Sequence, residues 1–186
     1  AQQTAECLAA IVLLQLVRPG APVAYGSFTS NVDMKSGAPA FGTPEYCRAT
    51  QMSGQMARYY DLPWRASNAN AANCVDAQAI WESASSLWAC SSANANIIYH
   101  AAGWMEGGLC ASFEKFVIDC EMLQQFAHYH QPVSVAEEDL ALEAIRAVGP
   151  SGHFLGADHT RERYKTAFYS PFLSDWSNFE SWEQAG

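Results

Sequence analysis

The chain has 186 residues, 49% of them hydrophobic and 16% charged, and a formal net charge of -9. This composition is sufficient for a sizeable core and excludes a disordered or fibrous protein. The ten Lys and Arg residues form no basic cluster, so no nucleic-acid partner is expected. We expect residues 1–186 to form a single domain.

The cysteines and the longest apolar run indicate the compartment. Six cysteines show neither a CxxC pair nor a metal-ligand spacing, at positions 7, 47, 74, 90, 110 and 120. We interpret them as reduced core thiols of a cytoplasmic protein. The apolar run from Leu8 to Val17 is far shorter than the roughly 20 residues that span a bilayer, so no membrane association is expected. The chain begins without a methionine, directly in a helical pattern, which indicates a processed or truncated piece.

Periodicity and turn residues predict an opening helix and then three cycles of strand, loop and helix. In chain order we predict a helix at 8–17, a strand at 21–27, a loop at 28–43, a helix at 43–60, a strand at 62–67, a loop at 68–73, a helix at 76–91, a strand at 97–99, a glycine-rich loop and a helix at 112–129. Thr43 before Pro44 is a typical helix start.

The strands recur every 35 to 40 residues or so, a spacing typical of parallel βα units. The fold class is therefore α/β, either part of a barrel or an open doubly wound sheet. No GxGxxG or Walker motif follows any predicted strand, which argues against dinucleotide binding. A closed barrel of eight strands usually takes about 250 residues, so three units are less than half of one.

The pattern changes after Pro132. Ser134 and Glu137 form a capping-box-like signal for a helix that is predicted to continue to Gly149-Pro150. From Ser151 onward we predict an irregular aromatic tail that packs against a core.

The stretch 94–116 carries the strongest functional signal. Ile97-Ile98-Tyr99 predicts a buried strand that stops at His100, and the following loop reads Gly103-Trp104-Met105-Glu106-Gly107-Gly108. Side chains that end parallel strands converge at one edge of the sheet, and ligands bind there. We therefore expect the site at this loop.

Four stretches of the chain resemble a known family. In order they are YGSFTSNVDMKSGAPAFGTPE, LPWRAS, YHAAGWMEGGLCASFEKF and AIRAVGPSGHFLGADHT. Together they resemble the trimethylamine methyltransferase (MttB) superfamily over nearly the whole chain. Members of that family are larger, so the chain resembles the carboxyl-terminal portion of one.

The resemblance implies part of a (β/α)8 TIM barrel, with about three βα units followed by carboxyl-terminal helices and the aromatic tail. It also implies transfer of a methyl group from a small methylated amine to the cobalt of a corrinoid, which a separate corrinoid protein carries. The founding trimethylamine enzymes use pyrrolysine, which this sequence lacks. The chain is therefore more similar to the pyrrolysine-free branch, whose members act on quaternary amines such as glycine betaine. A homo-oligomer is also expected.

A quaternary ammonium offers no hydrogen bond, so a protein binds it with aromatic faces and a nearby negative field. The aromatic residues at or just after strand ends are the candidates for such a cage: Tyr25, Phe28, Phe41, Trp64 and Trp104. Packing of a core or lid is the alternative for each ring. Arg65 and His100 are candidates for binding a substrate carboxylate, although a structural ion pair or a hydrogen-bonded core histidine would also explain them.

His100 and Glu106 are the candidate catalytic residues. Glu106, and less strongly Asp33, would supply a negative field, with surface solvation as the alternative. Three glycines would let the backbone approach a ligand or the corrinoid, or simply form a tight turn: Gly103, Gly107 and Gly108.

No metal site of the chain's own is predicted. His128 and His130 are two residues apart on a predicted helix and cannot face one ion together. A cobalt acceptor needs no protein nucleophile, so the expected role of the chain is to position the methyl group and exclude water. Two other interpretations stay open: a non-catalytic barrel that binds quaternary amines, and a structural piece that is inactive by itself.

Overall fold

A computed structural model describes residues 1–26 and 28–186, which form two compact units, Ala1–Met122 and Leu123–Gly186. The elements that begin in the first unit are α1 (Gln2–Val17), β1 (Tyr25–Gly26), β2 (Asn31–Val32), β3 (Pro39–Ala40), α2 (Pro44–Tyr59), β4 (Trp64–Ser67), α3 (Ala77–Ser92), β5 (Ile97–Tyr99), β6 (Trp104–Met105), a 3-10 turn (Glu106–Gly108), β7 (Cys110–Ala111) and α4 (Phe113–Tyr129). Those of the second unit are α5 (Glu137–Leu140), α6 (Leu142–Val148), α7 (Asp158–Arg163) and α8 (Phe179–Ala185).

The centre of the first unit is a parallel sheet with the strand order β1, β4, β5. Tyr25 pairs with Trp64, and Arg65 pairs with Ile97. Helices α2 and α3 connect these strands in chain order. The predicted α/β class with parallel βα units is therefore confirmed, and closure into a (β/α)8 barrel stays a prediction.

Side-chain caps explain where the two connecting helices begin. The Thr43 hydroxyl accepts a hydrogen bond from the backbone N–H of Tyr46 at 3.2 Å, with Pro44 at the first position of α2. The Asp76 carboxylate accepts from the N–H groups of Gln78 and Ala79 at the start of α3. Both helix starts were predicted, and both predictions are confirmed.

The core of the first unit lies between the sheet and helices α2 and α3. Its buried members are Tyr25, Ala57, Trp64, Ala66, Cys90 and Ala93. Gly54 lets α2 lie close to Trp64 and Ala93, since a Cβ atom on Gly54 would lie 2.8 Å from both the Trp64 ring and the Ala93 oxygen. Small residues therefore let the two helices pack tightly around Trp64.

Two short hairpins occupy stretches that were predicted as loop. Strands β2 and β3 pair antiparallel, and so do β6 and β7. Asp33 stabilises the first turn by accepting hydrogen bonds from the N–H and the hydroxyl of Ser36, and these bonds hold the pKa of Asp33 below its usual value. Strands of two residues have no measurable alternation, which explains why sequence periodicity missed them.

The prediction that β5 is a buried strand is wrong. Ile97 is 44% exposed and Tyr99 is 50% exposed. These side chains are exposed because β5 lies at an edge of the described sheet, where it pairs with β4 alone.

In the second unit, two helices replace the single helix predicted after Pro132. Ala141 adopts φ of +52° between α5 and α6 and ends the first helix. The N-cap of α5 is Ala136, and Ser134 instead bonds the Asp139 carboxylate. The predicted capping box is therefore wrong.

The carboxyl-terminal tail contains the helices α7 and α8, so it is not wholly irregular. Most of its aromatic rings are exposed: Tyr164 61%, Phe168 78%, Trp176 66%, Phe179 65% and Trp182 56%. The prediction that this tail packs against a core is wrong for the described residues.

The cysteines are all free thiols, of which Cys90 is buried whereas Cys74 and Cys110 are exposed. The core interpretation is therefore wrong for the two exposed thiols. Within residues 1–26 and 28–186, no helix has both the length and the apolar character needed to cross a membrane.

Candidate functional site

The carboxyl ends of the three parallel strands lie at one edge of the sheet. Strand β4 ends at Ser67 and β5 at Tyr99, and these two residues are register partners. The backbone N–H of Asn68 donates to the Tyr99 oxygen at 2.8 Å, which extends the pairing one residue past the strand. Residues that follow β4 and β5 therefore start from neighbouring positions, as the parallel topology requires.

His100 is the first residue after β5. Its Nδ1 atom and the Ser67 hydroxyl share a hydrogen bond of 2.7 Å, which ties the end of β5 to the end of β4. His100 adopts φ of +55°, a backbone conformation uncommon for residues other than glycine. The reversal turns the chain out of the sheet and into the glycine-rich loop.

Four rings meet at this edge, and we call them the aromatic cluster: Phe28, Phe41, His100 and Trp104. Ring centroids are 5.2 Å apart between His100 and Trp104, 5.8 Å between His100 and Phe28, and 5.2 Å between Phe28 and Phe41. The His100 and Trp104 planes are nearly perpendicular, at 89°. These contacts have the geometry that aromatic pairs prefer.

The cluster has a buried base and an open rim. Phe41 is 1% exposed and packs edge-on against Tyr46. Phe28 is 46% exposed and Trp104 37% exposed. A ligand can therefore reach Phe28 and Trp104 from outside while Phe41 stays covered.

Tyr46 links the base of the cluster to β4. Its hydroxyl donates to the Ser67 oxygen at 2.6 Å. Burial raises the pKa of the Tyr46 hydroxyl, so it stays protonated and remains a donor. Sequence reasoning missed this residue, which is the third of α2 and is 2% exposed.

Arg65 lies near the cluster and contacts the Tyr99 ring. Its guanidinium lies over the Tyr99 ring, 4.3 Å from the centroid, and the Tyr99 and His100 rings are 6.2 Å apart. Burial, and secondly the charge of Arg65, lower the pKa of His100. Both effects favour the neutral form of the His100 ring.

The structure does not bring Tyr25 and Trp64 to the cluster. Both belong to the core between sheet and helices, with 0% and 2% of their surface exposed. The Tyr25 hydroxyl shares a hydrogen bond of 2.9 Å with the Thr4 hydroxyl. In this structure both rings serve packing, which was the alternative interpretation of each.

The glycine-rich loop runs along the cluster. A Cβ atom on Gly107 would lie 3.2 Å from Pro39 and 3.5 Å from Phe41, and one on Gly108 would lie 4.0 Å from Trp104. Glu106 is exposed, with φ of +50°, and its backbone N–H donates to the Ala72 oxygen at 3.0 Å. The Glu106 carboxylate therefore lies in solvent on the same loop as Trp104.

Sequence reasoning also missed a group of buried polar residues behind the loop: Asn70, Glu82, Ser83, Lys115 and Asp119. The Glu82 carboxylate accepts hydrogen bonds from the N–H groups of Ala71 and Ala72, at 2.7 and 3.0 Å. The one available signal was the spacing of Lys115 and Asp119, four residues apart as in a helical ion pair. Burial cannot be inferred from that spacing.

The fold and the site together define an α/β protein with a candidate ligand site at the carboxyl edge of a parallel sheet. Comparison with known proteins gives the family. The chain belongs to the trimethylamine methyltransferase (MTTB) family, whose model matches residues 1–186. The resemblance seen in the four sequence stretches is thereby confirmed.

Characterised relatives share this similarity over nearly the whole chain. The glycine betaine methyltransferase of Desulfitobacterium hafniense strain Y51 is 40% identical over 181 residues, which are 97% of this chain and 38% of that protein. The trimethylamine methyltransferase MttB of Desulfitobacterium hafniense strain DSM 10664 / DCB-2 is 37% identical over 182 residues, 97% of this chain and 36% of that protein. MttB of Methanosarcina barkeri is 37% identical over 183 residues, which are 98% of this chain and 37% of that protein. The chain thus spans less than two fifths of the length of these relatives.

Proposed function

We propose that this chain contributes to a methyltransferase that moves a methyl group from a quaternary or tertiary methylated amine, betaine-like in structure, to the cobalt of a corrinoid on a partner protein. Family membership and the names of the relatives support the reaction class. The observation that carries the substrate class is the aromatic cluster, with its buried base and open rim.

The cluster suits a methylated ammonium group for an electrostatic reason. Aromatic faces attract a cation that has no hydrogen bond to offer. His100 assists by staying neutral, because a protonated imidazole would repel the ammonium. Phe28 and Trp104 then provide the accessible ring surfaces, and Phe41 closes the base.

Two charged residues fit the remaining parts of a betaine. We assign Arg65 to the substrate carboxylate, since it is half-buried beside His100 and a guanidinium binds carboxylates well. We assign Glu106 to the negative field near the ammonium, from its place between Trp104 and Gly107.

The open rim also fits an external methyl acceptor. Phe28 and Trp104 are partly exposed, so a corrinoid carried by a partner could approach the cluster from solvent. When bound, the corrinoid supplies the cobalt that accepts the methyl group. The side chains of the cluster hold the amine in place and exclude water on the Phe41 side, which is a contribution of positioning.

The test measures transfer of an isotope-labelled methyl group from glycine betaine and trimethylamine to a reduced corrinoid protein, in a protein that contains this chain. Trp104→Leu should lower kcat/KM by about tenfold, the equivalent of one lost cation–π contact. Trp81→Leu is the matched control, because Trp81 is 72% exposed on α3 and outside the cluster. Amine binding without any methyl transfer would contradict the proposed reaction and favour a binding protein.

A further inference from the structure

A charged pair is buried behind the glycine-rich loop. The Lys115 side chain is 0% exposed and that of Asp119 is 3% exposed. The Lys115 Nζ atom lies 2.6 Å from each oxygen of the Asp119 carboxylate and 2.8 Å from the Ser83 hydroxyl. These three bonds use all the donors of the ammonium group.

A buried ion pair is weak evidence of a stabilising role, since desolvation offsets most of the attraction between the charges. A second contact of Asp119 points to another purpose. Its Oδ2 atom accepts the backbone N–H of Gly103 at 2.8 Å. Gly103 has φ of +80° and approaches α4 so closely that a Cβ atom would lie 3.1 Å from the Phe116 Cβ.

The same network reaches the far end of the loop. Ser83 also accepts a hydrogen bond from the Asn70 side-chain amide at 3.2 Å, and Asn70 bonds the Ala79 oxygen at 2.6 Å. The backbone oxygen of Asn70 accepts the N–H of Gly107 at 2.7 Å. A continuous path of hydrogen bonds therefore runs from Gly103 to Gly107 through the ion pair.

We propose that Lys115 and Asp119 are positioning residues that fix the glycine-rich loop, residues 103–108, and so hold Trp104 against His100. The value of this for catalysis rests on the proposed function, but the positioning itself does not. Trp104 follows Gly103 directly, so a loop that loses the bond from the Gly103 N–H to Asp119, and keeps only the bond from the Ser112 N–H to the Gly103 oxygen at 3.0 Å, changes the position of the indole relative to the imidazole.

The double variant Lys115→Met, Asp119→Leu tests the proposal. Apolar residues of similar volume remove both charges together, so no unpaired charge remains in the core and the chain should still fold. The Gly103 N–H then lacks an acceptor, and the loop must open for water to replace the carboxylate. Hydrogen exchange at the Gly103 amide should accelerate by more than about tenfold. The pKa of His100, followed by NMR, should rise as the imidazole gains solvent.

Glu114→Gln is the matched control, since Glu114 is an exposed carboxylate on the same helix. Glu114→Gln should change neither the hydrogen-exchange rate of the Gly103 amide nor the pKa of His100. A folded double variant with unchanged exchange at Gly103 and an unchanged His100 pKa would overturn the proposal. If the double variant does not fold, the unmodified chain decides: a fast-exchanging Gly103 amide there would overturn the proposal, and a protected one supports it. These readings need no substrate, so they are independent of whether methyl transfer is observed.

Discussion

At the scale of single residues, His100 joins the sheet to the candidate site. It bonds Ser67 at the end of β4, reverses the chain with a positive φ and contacts Phe28 and Trp104. Burial, and secondly the charge of Arg65, lower its pKa and so favour the uncharged ring. The residue thus sets both the shape and the charge of the cluster.

The substitution Arg65→Met should raise the pKa of His100 toward its usual value of 6.5, because it removes a nearby positive charge that disfavours the imidazolium. The rise should be partial, since burial is the larger cause. An NMR titration of the His100 ring measures it. Arg48→Met, at an exposed position of α2, serves as control and should leave the titration unchanged.

Gly42 is a second residue whose role can be tested. It has φ of +67°, and a Cβ atom there would lie 2.4 Å from the Glu82 Cα of α3. Gly42→Ala should lower the free energy of unfolding by about 3 kcal/mol, the sum of backbone strain and overpacking. Gly20→Ala isolates the strain, since Gly20 has φ of +78° with nothing within 4 Å, and should cost about 1 kcal/mol. The free energies are measured by urea unfolding. Equal losses of unfolding free energy in Gly42→Ala and Gly20→Ala would contradict the close contact between Gly42 and Glu82.

The site residues were predicted to different degrees for physical reasons. The placement of His100 and Trp104 at the carboxyl edge of the sheet was predictable because a parallel strand ends there and glycines follow it. Tyr25 and Trp64 were chosen by the same rule, yet strand residues alternate in direction and both face the core. Lys115 and Asp119 could not be found, because partners on other elements decide whether a charge is buried.

At the scale of elements, the caps fix where helices begin and thereby the lengths of the loops around the site. Asp76 ends the loop after β4, whose residues Asn70 and Ala72 accept hydrogen bonds from Gly107 and Glu106. The start of α3 thus affects the backbone beneath the cluster.

The Asp76 cap should make stability depend on pH in a defined direction. Its hydrogen bonds, chiefly that from the Cys74 thiol, lower the pKa of Asp76 below 3.8. The stabilisation is therefore complete above the unfolded pKa and is lost as the pH falls through the lower folded pKa. Asp76→Ala should lower the thermal midpoint at pH 7, and the difference from the unmodified chain should shrink below pH 4 or so. Asp76→Asn keeps a capping oxygen, so it should lower the thermal midpoint at pH 7 by less than Asp76→Ala does. A difference that does not change with pH would contradict the role of the charge.

The elements were predictable where local chemistry decides them. The cap at Thr43 gave the start of α2, and the helical spacing of apolar residues gave the bounds of α3 closely. The hairpins were missed because their strands are two residues long, and the break at Ala141 because alanine normally favours helix. The exposure of β5 follows from its place at the sheet edge, which the sequence of one strand does not reveal.

At the scale of the whole molecule, the chain contains a parallel sheet with a candidate site at its carboxyl edge and belongs to the trimethylamine methyltransferase family. It spans less than two fifths of the length of its characterised relatives. The aromatic cluster, its backing network and the loop all lie within residues 1–122, one compact unit. Recognition of the amine is therefore the part of the proposed function that can be tested on this chain directly.

The most direct test is an NMR titration of the chain with glycine betaine and, in parallel, with 3,3-dimethylbutyrate, which has the same shape and carboxylate but a neutral carbon in place of the ammonium nitrogen. Binding at the aromatic cluster predicts saturable shifts at Trp104, His100 and Phe28 with glycine betaine and weaker shifts with the neutral analogue. In Trp104→Leu, glycine betaine should bind about tenfold more weakly. Equal shifts with the two compounds, or shifts confined to residues outside the cluster, would contradict recognition of a cationic methylated amine at this site.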